Sequence, residues 1–139
     1  MPALTCILET SLYVTDLTVA CAFYQDVIGL SLVTRDDRLG SFDVGGRSLL
    51  LLFTRGGTID GAQADGGNDI PPHDGSGQQH MAFSVEKDAL EDWERHLANA
   101  GVAILSRTEW KRGGRSLYFR DPDGHLIELA GTPGTWPGH

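Results

Sequence analysis

The chain is poor in positive charge. It has 11 Lys and Arg residues against 19 Asp and Glu residues, which gives a net charge of -8. Binding to nucleic acid at cellular salt relies on a Lys/Arg surface that releases counterions from the phosphates. The charge balance therefore argues against a nucleic-acid partner and favours a small-molecule substrate.

Cysteines and long apolar runs are also scarce. Cys6 and Cys21 are the only cysteines, too few for a disulfide framework, and no CxxC motif is present. No apolar run reaches the roughly 18 residues that a membrane span requires, and the N-terminus lacks the pattern of an export signal. We expect a cytoplasmic protein without a membrane partner.

Glycine, in contrast, is abundant. The 139 residues include 18 glycines, many of them between periodic segments, where they supply the positive φ of tight turns. A chain of this length is typical of one compact domain that buries roughly 70% of its unfolded surface. We predict a single domain, residues 1–139, with many short strands.

The first half of the chain reads as a strand, a helix and three strands. Alternation over residues 7–14 predicts a strand that carries Glu9 on one face. Asp16 can cap the amphipathic helix that follows, and Gly29 can end it. This βαβββ unit covers about residues 5–55. Its last three strands are predicted near residues 31–36, 41–44 and 48–54.

The second half repeats this order. A strand begins at His80, and the capping-box pattern of Asp88 and Glu91 predicts a helix that ends near Gly101. The second βαβββ unit covers about residues 79–131. Its last three strands are predicted near residues 102–108, 115–120 and 125–130.

The two units can be aligned by spacing. Glu9 precedes Val14 by five residues, as His80 precedes Val85, so the two polar residues occupy equivalent positions. The Gly-, Asp- and Pro-rich segment 56–78 is predicted to be a linker that can act as a lid. The predicted fold class is α+β with two βαβββ repeats.

Three polar residues interrupt otherwise apolar strands: Glu9, His80 and Glu128. An ionised carboxylate on a half-buried strand is costly unless it is paired or bound to a metal. One imidazole and two carboxylates suit Zn, Mn, Ni, Co or Fe. We predict that these residues hold a divalent metal ion.

Each residue also has a simpler interpretation. Glu9 can be a solvated residue on an edge strand, and His80 a neutral histidine bonded to backbone. Glu128 can form a structural ion pair with Arg115 or Arg120. The matched repeat positions of the first two residues favour the metal site.

Four motifs point to a known family. The chain contains LYVTDL at residues 12–17, FYQDVIGL at residues 23–30, GQQHMAF at residues 77–83 and YFRDPDGHLIEL at residues 118–129. With these motifs it resembles the vicinal oxygen chelate superfamily over nearly its whole length. That superfamily includes glyoxalase I, fosfomycin-resistance enzymes, extradiol dioxygenases and bleomycin-binding proteins.

The resemblance implies a glyoxalase-like fold, with curved and mostly antiparallel sheets around a metal-containing cavity, and a homodimer. In the family the metal ligands come from the first strand of each unit and from the last strand, which here carry Glu9, His80 and Glu128. The strand over residues 47–53 offers no fourth ligand. Open positions then remain for water and substrate.

The resemblance also implies a metal-dependent enzyme of the glyoxalase or fosfomycin-resistance type, acting on a small oxygen-bearing substrate as an isomerase, lyase or epoxide-opening enzyme. Glu9 or Glu128 would move a proton, and Tyr118 would orient an oxygen at the metal. One alternative is an extradiol-type dioxygenase, which Glu9 makes less secure because those enzymes have a histidine there. The other is a non-catalytic drug- or metabolite-binding resistance protein.

Three residues are predicted to bind substrate. Ser11 shares the strand face of Glu9, and Ser116 shares that of Tyr118. Arg115 can present a cation at the mouth of the cavity, unless its segment is only a solvated hairpin turn.

Two further histidines are not predicted to take part. His73 falls in the 56–78 segment and is expected to be exposed. His125, by parity with Ile127, is expected to point away from Glu128.

Overall fold

The computed structural model describes all 139 residues, which form two compact units, Met1–Ser76 and Gly77–His139. Residues 56–76, most of the predicted linker, fall within the first unit. Each unit contains helix and sheet, which confirms the α+β prediction. None of the helices has the length and apolar character needed to cross a membrane.

The first unit follows the predicted order. Its sheet has the strand order β1-β4-β3-β2, with β1 and β4 parallel and the other pairs antiparallel. The Asp16 side chain accepts hydrogen bonds from the backbone N–H groups of Thr18 and Val19, at 2.9 and 3.0 Å, which confirms the predicted cap. The elements are β1 (Glu9–Val14), α1 (Leu17–Ala22), a π-helical turn (Phe23–Val27), β2 (Ser31–Arg35), β3 (Leu39–Val44) and β4 (Ser48–Thr54).

This first sheet has two different faces. Even-numbered residues of β1 and β4, such as Leu12 and Leu52, are buried on the side of α1. A Cβ at Gly40 would stand 2.6 Å from Cys21 Sγ, so glycine lets β3 approach the helix. The odd-numbered residues form a cluster on the opposite face that consists of Tyr13, Leu51 and Phe53, with Leu39 and Leu49 packed against it.

A small hairpin lies within the segment predicted as a linker. Its strands are β5 (Ala62–Gln63) and β6 (Asp69–Ile70), which pair antiparallel. Two-residue strands leave no alternation for a sequence pattern to detect. The hairpin was therefore not predicted from this Gly- and Asp-rich sequence.

The second unit has the same strand order, β7-β10-β9-β8, again with the first and last strands parallel. The repeat is thereby confirmed. The predicted capping box does not form, because a 3-10 turn precedes the helix and neither helical segment has a side-chain cap. The elements are β7 (His80–Glu86), the 3-10 turn (Lys87–Ala89), α2 (Leu90–Asn99), β8 (Ser106–Glu109), β9 (Arg115–Arg120) and β10 (Leu126–Thr132).

Candidate metal and substrate site

His80 has one ring nitrogen fixed by the backbone. It begins β7 opposite Leu126 of β10, and its Nδ1 lies 3.0 Å from the Leu126 carbonyl oxygen. A carbonyl only accepts hydrogen bonds, so Nδ1 carries the proton and Nε2 keeps its lone pair. Nε2 lies 3.5 Å from Oε2 of Glu128. The backbone hydrogen bond therefore selects the tautomer that a metal ligand needs.

Glu128 is a buried carboxylate with one oxygen left over. Its side chain is 8% exposed, and Oε1 is buried without a hydrogen-bond partner. The predicted alternative, an ion pair with arginine, does not occur: Arg120 donates to the Gly124 carbonyl, and Arg115 faces Glu91. Because an unsatisfied buried acceptor is costly, this oxygen is open to a cation or a hydrogen-bond donor.

The separation of His80 and Glu128 fits two ligands of one ion. It is too long for a hydrogen bond. Two ligands bonded at about 2.1 Å in tetrahedral geometry stand about 3.4 Å apart, close to the 3.5 Å between Nε2 and Oε2. Neither unit by itself contains three His, Cys, Asp or Glu side chains grouped to hold a metal. The second unit thus offers two candidate ligands.

Tyr118 lies directly opposite Glu128 on the neighbouring strand β9, and its ring centroid is 6.3 Å from that of His80. Burial raises the pKa of the Tyr118 phenol, and the hydrogen bond to Glu128 and its negative charge raise it further. A hydrogen bond with Ser116 has the opposite effect on this pKa. The structure thus brings together three predicted residues: a phenol that stays protonated, an imidazole and a carboxylate.

Ser116 is placed behind this group. It is 1% exposed, and its Oγ accepts a hydrogen bond of 2.8 Å from Nε1 of Trp110. The predicted role in substrate binding is not supported, because the hydroxyl is buried and engaged by Trp110. Sequence reasoning missed Trp110, since its contact with Ser116 depends on the shape of the β8-β9 turn.

Arg115 lies on the other face of β9. Its Nη1 is 3.9 Å from Oε1 of Glu91 in α2, and it shares strand parity with Leu117, which is buried. The structure therefore separates Arg115 from Tyr118 and Glu128. The predicted contact of Arg115 with substrate is not supported by this geometry.

Glu9 and Ser11 line a cavity of about 350 Å³ in the first unit. Glu9 is exposed at the start of edge strand β1, opposite Leu49 of β4. Leu49 is apolar, in agreement with the prediction that β4 offers no fourth metal ligand. The other lining residues of this first-unit cavity are Arg38, Leu39, Leu51, Phe53, Ala62, Ile70 and His73.

His73 is exposed as expected, yet it is held in place. Its Nδ1 is hydrogen-bonded to the Tyr13 hydroxyl, and its ring meets the Phe53 ring edge-on at 4.8 Å between centroids. His125, in contrast, is fully buried, and its Nδ1 accepts a hydrogen bond of 2.9 Å from the Gln79 backbone. His125 thus supports the turn before β10, whereas His73 lines the cavity that holds Glu9.

Two βαβββ repeats, with an imidazole, a buried carboxylate and a phenol gathered in the second, define a small α+β protein that carries a candidate metal site. Residues 7–129 match the model of the Glyoxalase/Bleomycin resistance protein/Dioxygenase superfamily, and the chain belongs to this superfamily.

Several relatives are known. Metallothiol transferase FosB of Staphylococcus saprophyticus is 32% identical over 118 residues, which cover 84% of this chain and 70% of that protein. Glutathione transferase FosA of Serratia marcescens is 30% identical over 119 residues, 86% of this chain and 75% of that protein. The crystal structure of lactoylglutathione lyase from Agrobacterium tumefaciens is 34% identical, with a TM-score of 0.83 and coverage of 93% and 95%.

These relatives are enzymes by name: two transferases, one of them a metallothiol transferase, and a lyase. The predicted superfamily and the predicted class, a metal-dependent enzyme, are confirmed.

Proposed function

We propose that this chain is a divalent-metal-dependent enzyme of the glyoxalase or fosfomycin-resistance type. Its substrate is a small oxygen-bearing molecule, and the reaction is an isomerisation, a lyase step or the opening of an epoxide. The observation that carries the proposal is the His80–Glu128 pair, with Nδ1 engaged by the backbone and Glu128 Oε1 buried without a partner. The transferase and lyase relatives support it.

Glu9, His80 and Glu128 are the proposed ligands. When bound, the ion polarises substrate oxygens and stabilises negative charge that develops on them. Tyr118, whose pKa is raised by burial and by Glu128, keeps its proton, and its hydroxyl can turn from Glu128 to a substrate oxygen when Glu128 binds the ion. Glu9, an exposed carboxylate at the cavity, can accept and return a proton.

We further propose that the chain acts as a homodimer in the cytoplasm. Glu9 and His80 lie on β1 and β7, the edge strands of their sheets, and an edge strand offers unpaired backbone groups to a partner. Cys6 and Cys21 are free thiols, as a reducing compartment favours.

Metal analysis of protein purified without chelator tests the ligand set. We expect about one divalent ion per chain, lost in Glu9→Gln, His80→Gln and Glu128→Gln. Glu86→Gln, an exposed position at the end of β7, is the matched control and keeps the metal. Unchanged metal content in both His80→Gln and Glu128→Gln would show that the proposed site is wrong.

Mixing two inactive variants tests whether a partner completes the site. Glu9→Gln and Glu128→Gln chains are unfolded together and refolded, then assayed on a hemithioacetal and on an epoxide with a thiol. If Glu9 of one protomer joins His80 and Glu128 of the other, about a quarter of the sites are restored in a random mixture. No recovery, with each variant folded and dimeric, means that each chain builds its site alone.

A further inference from the structure

An arginine and a histidine that are not among the proposed metal ligands line the first-unit cavity. Arg38 and His73 line it together with Glu9, beside an apolar wall that includes Phe53 and Ile70. We propose that Arg38 and His73 form a subsite for an oxyanion, the carboxylate or phosphonate group of a small substrate whose carbon portion lies against the apolar wall.

The Arg38 side chain has a fixed stem, and its guanidinium makes no ion pair within 4.0 Å, although, after backbone hydrogen bonds, its charge helps to lower the pKa of Asp36. The Arg38 backbone N–H donates to Asp36 Oδ1 at 2.7 Å, and the Arg38 carbonyl accepts from the Thr54 N–H at 2.9 Å. A Cβ at Gly57 would stand 3.0 Å from Arg38 Cγ, so the stem lies close against this glycine.

No carboxylate oxygen lies within 4.0 Å of the Arg38 guanidinium, although the chain carries 19 acidic residues. The ion pairs of the chain involve other residues. Arg38 is partly buried, and a guanidinium that makes no close ion pair can take an anionic ligand; its planar fork matches a carboxylate or phosphonate.

His73 is anchored at its backbone by Thr58. The His73 N–H donates to the Thr58 carbonyl at 3.2 Å, and the Thr58 hydroxyl donates to the His73 carbonyl. The Thr58 residue is 1% exposed, so this anchor is buried. His73 is therefore a fixed part of the cavity wall, although it lies in a segment without regular structure.

The Tyr13 hydroxyl orients the His73 ring. Burial of Tyr13, and secondly the charge of Asp74, raise the pKa of this phenol, so it stays protonated. The Tyr13 hydroxyl and His73 Nδ1 share a hydrogen bond, and when the phenol is its donor the neutral imidazole carries its proton on Nε2. The His73 ring then offers an N–H donor for a ligand oxygen.

Two adjacent residues, Gly57 and Thr58, contact the two residues of the subsite. Gly57 accommodates the Arg38 stem, and Thr58 secures the His73 backbone. Groups that are fixed before binding lose little conformational entropy when a ligand arrives. The arrangement is thus typical of a preformed binding site.

If the proposed function is correct, the subsite identifies the substrate as a molecule with a carboxylate or phosphonate group. Only this identification rests on the proposed function. Glu9 lines the same cavity, so an oxyanion held by Arg38 and His73 places the rest of the molecule beside Glu9. Binding of the oxyanion itself does not require the metal ion.

The test uses full-length, EDTA-treated protein with ¹⁵N-labelled arginine and histidine side chains. NMR titrations follow the signals of Arg38 and His73 with isobutyrate and, separately, with methylphosphonate, at constant ionic strength. We expect saturable shifts of both signals with at least one probe, and the probe of higher affinity identifies the anion. Shifts that stay linear in concentration with both probes would overturn the proposal.

Variants decide whether the named residues bind. Arg38→Gln and His73→Gln should each weaken binding about tenfold, because each removes a hydrogen bond to a charged group. Arg47→Gln, which replaces an exposed arginine in the β3-β4 turn, should leave affinity unchanged. Equal affinities of the Arg38 and Arg47 variants, both with dispersed native spectra, would contradict the subsite.

The outcome is separate from that of the metal site. If Arg38→Gln keeps its metal and no probe binds the wild-type protein, the oxyanion subsite is wrong and the proposed function stands. If probes bind but the wild-type protein holds no metal, the proposed function is wrong and the subsite stands.

Discussion

Nε2 of His80 and Oε2 of Glu128 stand 3.5 Å apart, while Nδ1 of the same imidazole is committed to the Leu126 carbonyl. Residues 80 and 126 face each other in the parallel register of β7 and β10. The same strand pairing therefore fixes both the position of the two proposed ligands and the tautomer of the histidine.

This pairing predicts strong sensitivity to the length of residue 128. Glu128→Asp keeps the charge but withdraws the carboxylate by one methylene, and we expect metal affinity to fall about 10- to 100-fold. Competition with a chromophoric chelator measures the affinity. Glu109→Asp makes the same change at an exposed position of β8 and should have no effect. Equal affinities of the two variants would argue against Glu128 as a ligand.

Trp110 is predicted to stabilise the second unit through Ser116. In Trp110→Phe the buried Ser116 hydroxyl loses the donor that now lies 2.8 Å away, so the free energy of unfolding should fall by about 1 kcal/mol. Urea denaturation measures this change. Trp136→Phe alters a tryptophan that is 69% exposed and should leave stability unchanged. If Trp110→Phe leaves the free energy of unfolding unchanged, water replaces the indole as the hydrogen-bond donor to Ser116.

The repeat was predictable because its signals are local. Alternation marks β1 and β7, and side chains that alternate along a strand keep their face in the folded sheet. The same parity puts Ser116 and Tyr118 on one face of β9, and in the structure Tyr118 lies opposite Glu128. It also assigns Arg115 to the face of Leu117, where the structure has it beside α2, so the sequence already contained the argument against Arg115 as a substrate contact.

His73 and Trp110 were not predictable from such patterns. His73 reaches the cavity through hydrogen bonds to Thr58 and Tyr13, residues 15 and 60 positions away. Trp110 reaches Ser116 across a turn. Contacts of this kind depend on turn geometry rather than on periodicity, and a Gly- and Pro-rich segment carries no periodicity from which to infer them.

Tyr13 is predicted to ionise late. Burial, and secondly the charge of Asp74, raise its pKa, so the folded state holds the phenolic proton more tightly than the unfolded chain does. This contribution to stability is complete below the ordinary tyrosine pKa of about 10 and is lost as the pH rises through the folded value.

The difference in tyrosinate absorbance between wild type and Tyr13→Phe isolates this titration. Asp74→Asn should move it to lower pH without abolishing the shift, because burial remains the larger cause. Asp65→Asn, at an exposed position of the same segment, serves as the control. A Tyr13 titration at the ordinary pH would show that the residue is not desolvated.

Gly75 is predicted to be essential for the packing of Tyr13. A Cβ at this position would overlap the Tyr13 ring, whereas at Gly66 it would meet only Asn68 Nδ2 at an ordinary 3.7 Å. Gly75→Ala should therefore lower the free energy of unfolding by about 1–3 kcal/mol, and Gly66→Ala should change it far less. Thermal and urea denaturation compare the two variants.

The same substitution should also disturb the first-unit cavity. When the Tyr13 ring moves, its hydrogen bond to His73 is broken, so Gly75→Ala should weaken oxyanion binding even at temperatures where the variant is fully folded. Gly66→Ala should bind as the wild type does. If Gly75→Ala matches Gly66→Ala in both stability and oxyanion affinity, the close approach of residue 75 to Tyr13 does not hold in solution, and Tyr13 does not position His73.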